Sequence, residues 1–394
     1  MTSTAAADRQ GSLRARSATL VDLLRRRAEL HPHQLAFRFL PDGEAVRAAT
    51  VTIGDLDRRA RAIAARLQSL QCRGDRALIV YPPGLELISA FLGCLYAGSV
   101  AVMVPPPTAG RLARFLARAA VICRDATPGV VLTTQEVERL LSDTTMPPEL
   151  VAARWEHILE GAEHSAADWL DPGPGQDDLA FLQYTSGSTT EPRGVMVTHG
   201  NLMANLDAIR RTFRQPPGTE SVCWLPPYHD MGLVGGILAP LYLGTTATLL
   251  PPAAFLQRPV RWLQTISRCR ATVSGGPNFA YELCVRRATP EQCEGLELGT
   301  WEVAFSGSEP VAPATLQRFA ERFAPHGFRP AAFKPCYGLA EATLLVATPP
   351  GRTPPTIQAF HADEMQRGRA RPAADTETSG TTLPSCGPPV ERVA

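Results

Sequence analysis

The sequence predicts an α/β fold in which mainly parallel sheets are covered by helices on both faces. From residue 77 onward, short apolar runs of strand length alternate with longer amphipathic stretches. A polar stretch rich in Gly, Pro and Asp, residues 171–178, separates these elements into two series. We therefore expect two packed α/β subdomains, followed by the start of a small β-rich subdomain.

The first series alternates regularly. Its predicted strands are residues 77–81, 100–104 and 130–133. Its predicted helices are residues 85–97 and a stretch whose apolar residues recur at i, i+3, i+4 and i+7: Leu112, Phe115, Leu116 and Ala119. The second series contains five predicted strands, at residues 179–184, 222–225, 245–250, 271–274 and 302–306.

These patterns predict a domain organisation in four parts. Residues 1–16 are a flexible tail, 17–178 the first α/β subdomain and 179–347 the second, which carries the site motifs. Residues 348–394 are rich in Pro, Thr and Gly, with one short helix predicted at 362–369. Residues 385–390 look like the start of a new strand just before Ala394, so we expect a truncated N-terminal part that lacks a C-terminal domain.

The composition favours a cytoplasmic protein, and we expect a monomer. The net charge of +1 gives no support for a nucleic acid or an anionic membrane as a partner. The nine cysteines include no CxxC pair, which is typical of reduced, buried thiols. The most apolar stretch, residues 85–104, is interrupted by Gly98 and Ser99 and ends at prolines, so a helix and a strand fit it better than a membrane span.

The first segment with chemical potential is YTSGSTTEPRG, residues 184–194, between a strand and an apolar run. Gly and small hydroxyl residues at this density let main-chain N–H groups approach a polyphosphate, whose charge Arg193 could neutralise. The spacing is not that of a Walker A loop. The alternative is an ordinary Ser/Thr-rich turn.

The second segment is WLPPYHDMGL, residues 224–233, at the end of a predicted strand. It places the imidazole of His229 at the carboxyl edge of a sheet, where α/β proteins bind ligands. The alternative is a helix start in which Asp230 is the N-cap and His229 is incidental.

Two more segments also follow predicted strands. FSGSEP, residues 305–310, could be no more than a turn before a helix. In PCYGLAEAT, residues 335–343, the ring of Tyr337 could lie against an adenine and the carboxylate of Glu341 could hold Mg²⁺. The alternative there is a tyrosine at a strand-to-helix corner and a solvated glutamate.

Together and in this order, the four segments resemble the signature motifs of the adenylate-forming superfamily, which includes acyl-CoA synthetases, peptide-synthetase adenylation domains and luciferases. Four stretches are similar in sequence to fatty acyl-AMP ligases in particular: LQYTSGST, WLPPYHDMGLVGGIL, SGGPNFAYELCVRR and PCYGLAEATLL. The resemblance covers residues 21–390. It implies a fold of the adenylate-forming type, ATP and Mg²⁺ as cofactors, a fatty acid substrate and, for the full-length enzyme, an acyl carrier protein as partner.

The resemblance also implies a role for each motif. The ATP phosphate loop would contain Thr185, Ser186, Gly187, Ser188, Thr189, Thr190 and Arg193. The adenine would lie between Ser308, Glu309 and Pro310 on one side and Tyr337 on the other, with Gly338 and Leu339 adjoining. Glu341 and Thr185 would be the Mg²⁺ ligands. The acid would contact His229, Asp230, Met231, Gly232, Gly275, Gly276, Pro277, Asn278 and Phe279.

The sequence departs from the family pattern at two points of the phosphate loop, with Thr190 in place of Gly and Arg193 in place of Lys. The family's ribose-binding Asp and catalytic Lys lie beyond residue 394, and Lys334, the one lysine of the chain, lies on the approach to the fourth motif. We therefore expect binding with weak catalysis. Two alternatives remain, an acyl-CoA synthetase, disfavoured by the family insertion at residues 348–384, and a non-catalytic acyl-adenylate-binding module.

Overall fold

The computed structural model describes residues 13–14, 16–158, 166–185, 192–215, 218–373 and 380–391. The helices are α1 (Leu20–Leu30), α2 (Ile53–Ser69), α3 (Leu85–Ala97), α4 (Leu112–Ala126), α5 (Gln135–Leu141), α6 (Pro148–Val151), α7 (His199–Phe213), a π-helix (Met231–Leu238), α8 (Ala239–Leu243), α9 (Pro252–Gln257), α10 (Val260–Cys269), α11 (Asn278–Arg287), α12 (Pro290–Cys293), α13 (Pro313–Phe323) and α14 (Ala362–Gln366).

The strands are β1 (Leu35–Phe39), β2 (Ala49–Thr52), β3 (Arg76–Val80), β4 (Val100–Met103), β5 (Val130–Thr133), β6 (Arg154–Glu156), β7 (Leu179–Thr185), β8 (Arg193–Thr198), β9 (Glu220–Cys223), β10 (Thr246–Leu249), β11 (Val273–Gly275), β12 (Val303–Ser306), β13 (Phe333–Pro335), β14 (Tyr337–Gly338), β15 (Leu345–Ala347), β16 (Ile357–His361) and β17 (Gly380–Pro384).

Two large sheets form the framework. One has six strands in the order β6-β5-β3-β4-β7-β8, parallel except for β8, which runs antiparallel to β7. The other has seven strands in the order β13-β12-β11-β9-β10-β1-β2, parallel except for β2. The predicted α/β fold with mainly parallel sheets is therefore confirmed.

The membership of the two sheets differs from the predicted division at residue 178. Strand β7, expected to open the second subdomain, pairs with β4 of the first sheet, as in Val102 with Leu182. Residues 35–39 and 49–52, expected in the first subdomain but not predicted as strands, form β1 and β2 of the second sheet, where β1 pairs with β10. Apolar runs identify strands, but their partners depend on contacts that are remote in sequence, so the local pattern could not place these three strands.

Helix α3 is buried along almost its whole length and packs on α2. The approach is close at Gly93, where a Cβ atom would lie 2.3 Å from the side chain of Ile63. Such a buried helix explains the apolar run at residues 85–104, which divides into α3 and β4. In the described part of the chain, no helix combines the length and apolar character needed to cross a membrane.

Residues 348–391 contain a feature that the sequence did not predict, an antiparallel pair formed by β16 and β17. The predicted helix of this region is present as α14 but ends at Gln366. The expected strand at residues 385–390 is reduced to one bridge between Ala347 and Pro389, beside which the Val390 nitrogen donates to the Val346 oxygen.

Candidate functional site

The predicted motifs converge where strands of the two sheets end. The second, third and fourth motifs follow β9, β12 and β13 of the seven-stranded sheet, and the first follows β7 of the six-stranded sheet. The two sheets are tied together here, since Gln183 Nε2 donates to the main-chain oxygen of Tyr228 at 3.1 Å. The carboxyl ends of parallel strands thus create one crevice from segments that are distant in sequence.

This crevice contains a cavity of about 260 Å³. The predicted site residues that line it are Thr185, His229, Asp230, Met231, Ser308, Tyr337, Gly338, Leu339 and Glu341. Apolar side chains form much of the remaining wall, including Ile209, Phe213, Ala239, Pro240, Leu243, Val273, Phe305 and Leu344. One cavity therefore joins a polar group of residues to an apolar interior.

His229 and Asp230 form an ion pair at the start of the π-helix. His229 Nδ1 lies 2.6 Å from Asp230 Oδ1, and the hydrogen bond to this carboxylate raises the pKa of His229, while desolvation acts in the opposite direction. Asp230 Oδ1 also accepts from the Met231 nitrogen at 2.6 Å, the first main-chain N–H of the π-helix. The imidazole itself is 56% exposed, so it remains available to a ligand.

The π-helix requires glycine at residue 232. A Cβ atom there would lie 2.0 Å from the main-chain oxygen of Pro226, in the loop before His229. Gly232 thus allows the helix to pack directly under that loop. It does not line the cavity itself.

In the third motif, Glu309 performs a local structural function. Its Oε1 accepts from the main-chain nitrogen of Phe279 at 2.6 Å, in the first turn of α11. In return, Asn278 Oδ1 accepts from the nitrogen of Ala312 at 3.0 Å. These two bonds fix the third motif to α11 and place a carboxylate at the positive end of the helix dipole.

The fourth motif presents Tyr337 and Glu341 on the cavity wall. Tyr337 is 56% exposed and begins β14, which pairs with β15. Glu341 lies in a 3₁₀ turn, Ala340–Ala342, between these strands and is also exposed. An exposed ring and an exposed carboxylate on one wall suit a purine and a cation-bound phosphate respectively.

The residues present fit Mg²⁺ in the way this ion is usually held with nucleotides. Glu341 supplies a carboxylate and Thr185 a hydroxyl on the same cavity, both hard oxygen donors. Among the described residues, no group of three or more His, Cys, Asp or Glu could hold a metal. This donor set agrees with Mg²⁺ that is bound through one carboxylate and substrate phosphates.

The predicted phosphate loop is described only at its two ends. Thr185 and Arg193 face each other as the last pair of the β7–β8 ladder, and Arg193 is exposed. The predicted phosphate ligands Ser186, Gly187, Ser188, Thr189 and Thr190 lie outside the described residues. Arg193 is not part of the cavity wall.

The structure does not bring the whole predicted acyl site to the cavity. Gly275, Gly276, Pro277, Asn278 and Phe279 are absent from its wall, as are Glu309 and Pro310. Gly275 packs against Phe305, where a Cβ atom would lie 2.2 Å from the main-chain oxygen, and Gly276 packs against Trp224. Gly275 thus supports the wall residue Phe305 from behind, whereas Gly276 contacts Trp224, which does not line the cavity.

The apolar residues of α7 and α8 that line the cavity were not predicted from the sequence. A signal was present in α7, because Leu202, Leu206, Ile209 and Phe213 recur at helical spacing. Three of these four residues are buried, and Ile209 and Phe213 reach the cavity wall. The apolar face of α7 therefore continues from the core into the candidate site.

The fold and the site define a nucleotide-binding domain of the adenylate-forming type, and the chain belongs to the AMP-binding enzyme family, whose model matches residues 24–393. Among curated relatives, a medium-chain-fatty-acid–[acyl-carrier-protein] ligase of Moorena producens is 41% identical over 95% of this chain and 64% of its own length. A long-chain-fatty-acid–AMP ligase of Mycobacterium marinum is 40% identical over 94% and 64%. The predicted resemblance to fatty acyl-AMP ligases is confirmed, although the chain spans less than two thirds of these relatives.

Solved structures agree with this assignment. A fatty acyl-adenylate ligase from Legionella pneumophila, in complex with acyl adenylate and pyrophosphate, superposes with a TM-score of 0.89 at 39% identity, covering 96% of this chain and 65% of that one. The adenylation domain of a keto acid-selecting peptide-synthetase module, at 21% identity, shares the fold with a TM-score of 0.84 over 95% and 70%.

Proposed function

We propose that this chain is the nucleotide- and acid-binding part of an enzyme that uses ATP to convert a fatty acid into fatty acyl-AMP and pyrophosphate. The observation that carries the proposal is the single cavity in which Tyr337, Glu341 and His229 adjoin an apolar interior lined by α7 and α8. An acyl-adenylate has one polar and one apolar half, so its shape and polarity agree with such a cavity.

In the proposed reaction, a carboxylate oxygen of the acid attacks the α-phosphorus of ATP. An O–P bond forms to the acid, and the bond from the α-phosphorus to the bridging oxygen breaks, releasing pyrophosphate with its electron pair. The residues of this chain act mainly by positioning and by electrostatic stabilisation. His229 would orient the carboxylate, Tyr337 would cover the adenine, and Arg193 would offset charge on the pyrophosphate.

Mg²⁺, held by Glu341 and the phosphates, would supply further neutralisation of the phosphate charge. The relative named as an acyl-carrier-protein ligase supports the proposal that the acyl group then passes to the phosphopantetheine thiol of an acyl carrier protein. The cytoplasmic location and the monomeric state stay predictions.

The proposal is tested by mass spectrometry of the chain incubated with Mg²⁺, ATP, CoA and saturated acids from hexanoic to octadecanoic. Acyl-AMP without acyl-CoA is the expected result, and its chain length names the substrate. Acyl-CoA would favour the synthetase alternative, and binding of ATP and acid with no product, even after the downstream domain is added, would favour a binding module.

A matched pair of variants ties product formation to the cavity. Glu341→Gln removes the charge of the proposed Mg²⁺ ligand and should abolish acyl-AMP. Glu294→Gln makes the same change at an exposed residue outside the cavity wall and should leave the yield unchanged. Equal yields from the two variants would contradict the role of Glu341.

A further inference from the structure

Asn205 is a buried amide that holds the turn carrying Glu341. It lies on α7, is only 3% exposed, and makes three hydrogen bonds to main-chain groups of Ala342, in the fourth motif, and Leu345, just after it. Its Nδ2 donates to the oxygens of Ala342 at 3.1 Å and Leu345 at 3.0 Å, and its Oδ1 accepts from the Leu345 nitrogen at 3.1 Å. One bond reaches the segment between β14 and β15, and the other two reach the first residue of β15.

The turn held by Asn205 has an unusual main-chain conformation. Thr343 has φ 69° and ψ −53°, and the Leu344 nitrogen donates to the Ala342 oxygen at 2.8 Å. This i→i+2 bond across a residue with positive φ defines a rare, strained γ-turn. A β-branched residue persists there only when its surroundings hold it in place. The three Asn205 bonds are made to Ala342, just before Thr343, and to Leu345, two residues after it.

Asn205 also connects this turn to the predicted phosphate loop. Helix α7 begins at His199, directly after β8, and its first turn is fixed by a capping box between Thr198 and Asn201. Strand β8 begins with Arg193, at the end of that loop. Asn205 therefore lies on a rigid continuation of the strand that leaves the phosphate loop.

We propose that Asn205 is a positioning residue for ATP and Mg²⁺: it holds the strained turn against α7 and so sets the Glu341 carboxylate relative to Thr185, which pairs with Arg193 at the end of the β7–β8 ladder. This inference rests on the proposed function, because it takes Glu341 as a Mg²⁺ ligand. It does not make Asn205 a contact of the nucleotide. A side chain that only stabilised the fold would affect nucleotide binding equally with and without Mg²⁺.

The test is calorimetric titration of the chain with ATP, once in EDTA and once in Mg²⁺. Asn205→Leu preserves the size of the side chain and removes all three bonds. We expect the ATP affinity in EDTA to stay unchanged. The increase in ATP affinity that Mg²⁺ causes should fall by about 10-fold, which is typical when a residue that orients a metal ligand is lost. Leu206→Ala, a buried neighbour on the same helix, is the control and should retain the full gain. Asn205→Ala replaces Asn205→Leu if the latter does not fold.

A second substitution separates positioning from general stability. Glycine adopts positive φ without strain, so Thr343→Gly should restore most of the Mg²⁺ gain to Asn205→Leu. Two results would overturn the positioning role but leave the proposed function standing. In one, Mg²⁺ increases the ATP affinity of Asn205→Leu as much as that of the unchanged chain. In the other, the substitution weakens ATP binding equally in EDTA and in Mg²⁺. Absence of ATP binding by the unchanged chain in either solution would overturn the proposed function together with the positioning role.

Discussion

The side chains of two consecutive residues, His229 and Asp230, meet on the cavity wall, with Nδ1 and Oδ1 2.6 Å apart. The same carboxylate oxygen caps the π-helix through the Met231 nitrogen. Asp230 thus holds the imidazole and begins the helix with one oxygen. The hydrogen bond to this carboxylate, and in second place its negative charge, raise the pKa of the ring.

Asp230→Asn should lower the pKa of His229. The amide oxygen can still cap the helix, but the negative charge that favours the imidazolium is gone. Because the pKa in the native protein is raised above 6.5, the pair stabilises the fold fully below that value, and the stabilisation is lost as pH rises through the native pKa. NMR titration of the His229 ring measures the change.

The control for this titration is Asp363→Asn, an exposed carboxylate in α14. It should leave the His229 titration where it is in the unchanged chain. If the pKa of His229 is the same in the unchanged chain and in Asp230→Asn, the Asp230 carboxylate is not what raises it.

Much of the fold could be predicted because the strands are short apolar runs bounded by Gly, Pro and polar residues. Residues 130–133 were predicted as a strand and are β5. The partners of strands were not predictable in the same way, as β1, β2 and β7 demonstrate. Strand β16 was missed; two of its residues are exposed, three are partly buried and none is fully buried.

The candidate site was predictable where a motif follows a strand, because parallel strands end at a common edge. His229, Tyr337 and Glu341 were placed at the cavity in this way. Glu309 was expected beside an adenine, but its carboxylate accepts from the Phe279 nitrogen. That α7 lines the cavity was not predicted. An apolar face of a helix indicates that the face is buried, but it does not indicate which cavity the face borders.

A buried histidine outside the cavity should make stability depend on pH. His199, at the start of α7, is 2% exposed, and burial lowers its pKa to about 4. Its Nδ1 has no hydrogen-bond partner among the residues that the structure describes. The unfolded chain, with a pKa near 6.5, therefore binds a proton that the native protein does not between these values. The free energy of unfolding should fall as pH drops from 6.5 to 4, by up to about 3 kcal/mol in total.

His199→Leu should flatten this pH dependence, because the unfolded chain then gains no proton at residue 199. Denaturant unfolding at a series of pH values between 7 and 4 measures the slope. His33→Leu, at an exposed histidine, should keep the slope of the unchanged chain. Parallel curves for the unchanged chain and His199→Leu would exclude His199 as the source.

Two glycines of the π-helix should differ sharply in their tolerance of alanine. At residue 232 the new Cβ would meet the Pro226 oxygen at 2.0 Å, and a main-chain atom can move only with its loop. At residue 235 the nearest atom is Leu344 Cδ2 at 3.3 Å, the end of a flexible side chain. We expect Gly232→Ala to cost about 1–3 kcal/mol, as overpacking typically does, and Gly235→Ala less than 1 kcal/mol.

Thermal and denaturant unfolding of the two variants measure this difference. Because Pro226 is in the loop that leads to His229, Gly232→Ala should also weaken binding of a non-hydrolysable acyl-adenylate analogue. Equal stability of the two variants would mean that the loop yields easily and that glycine is not required at residue 232.

The hydrogen bond from the Phe279 nitrogen of α11 to Glu309 should contribute to the stability of the fold. Glu309→Ala removes the acceptor of the Phe279 nitrogen and the negative charge at the helix N-terminus, and it should lower the free energy of unfolding by about 1 kcal/mol. Glu309→Gln keeps an acceptor oxygen, so its free energy of unfolding should fall by about half as much as that of Glu309→Ala. Raising the salt concentration should narrow the difference in the free energy of unfolding between the unchanged chain and Glu309→Gln, because salt screens the interaction of the charge with the helix dipole. A loss in Glu309→Gln as large as in Glu309→Ala at every salt concentration would show that the acceptor oxygen contributes nothing, and that the charge alone fixes this motif to α11.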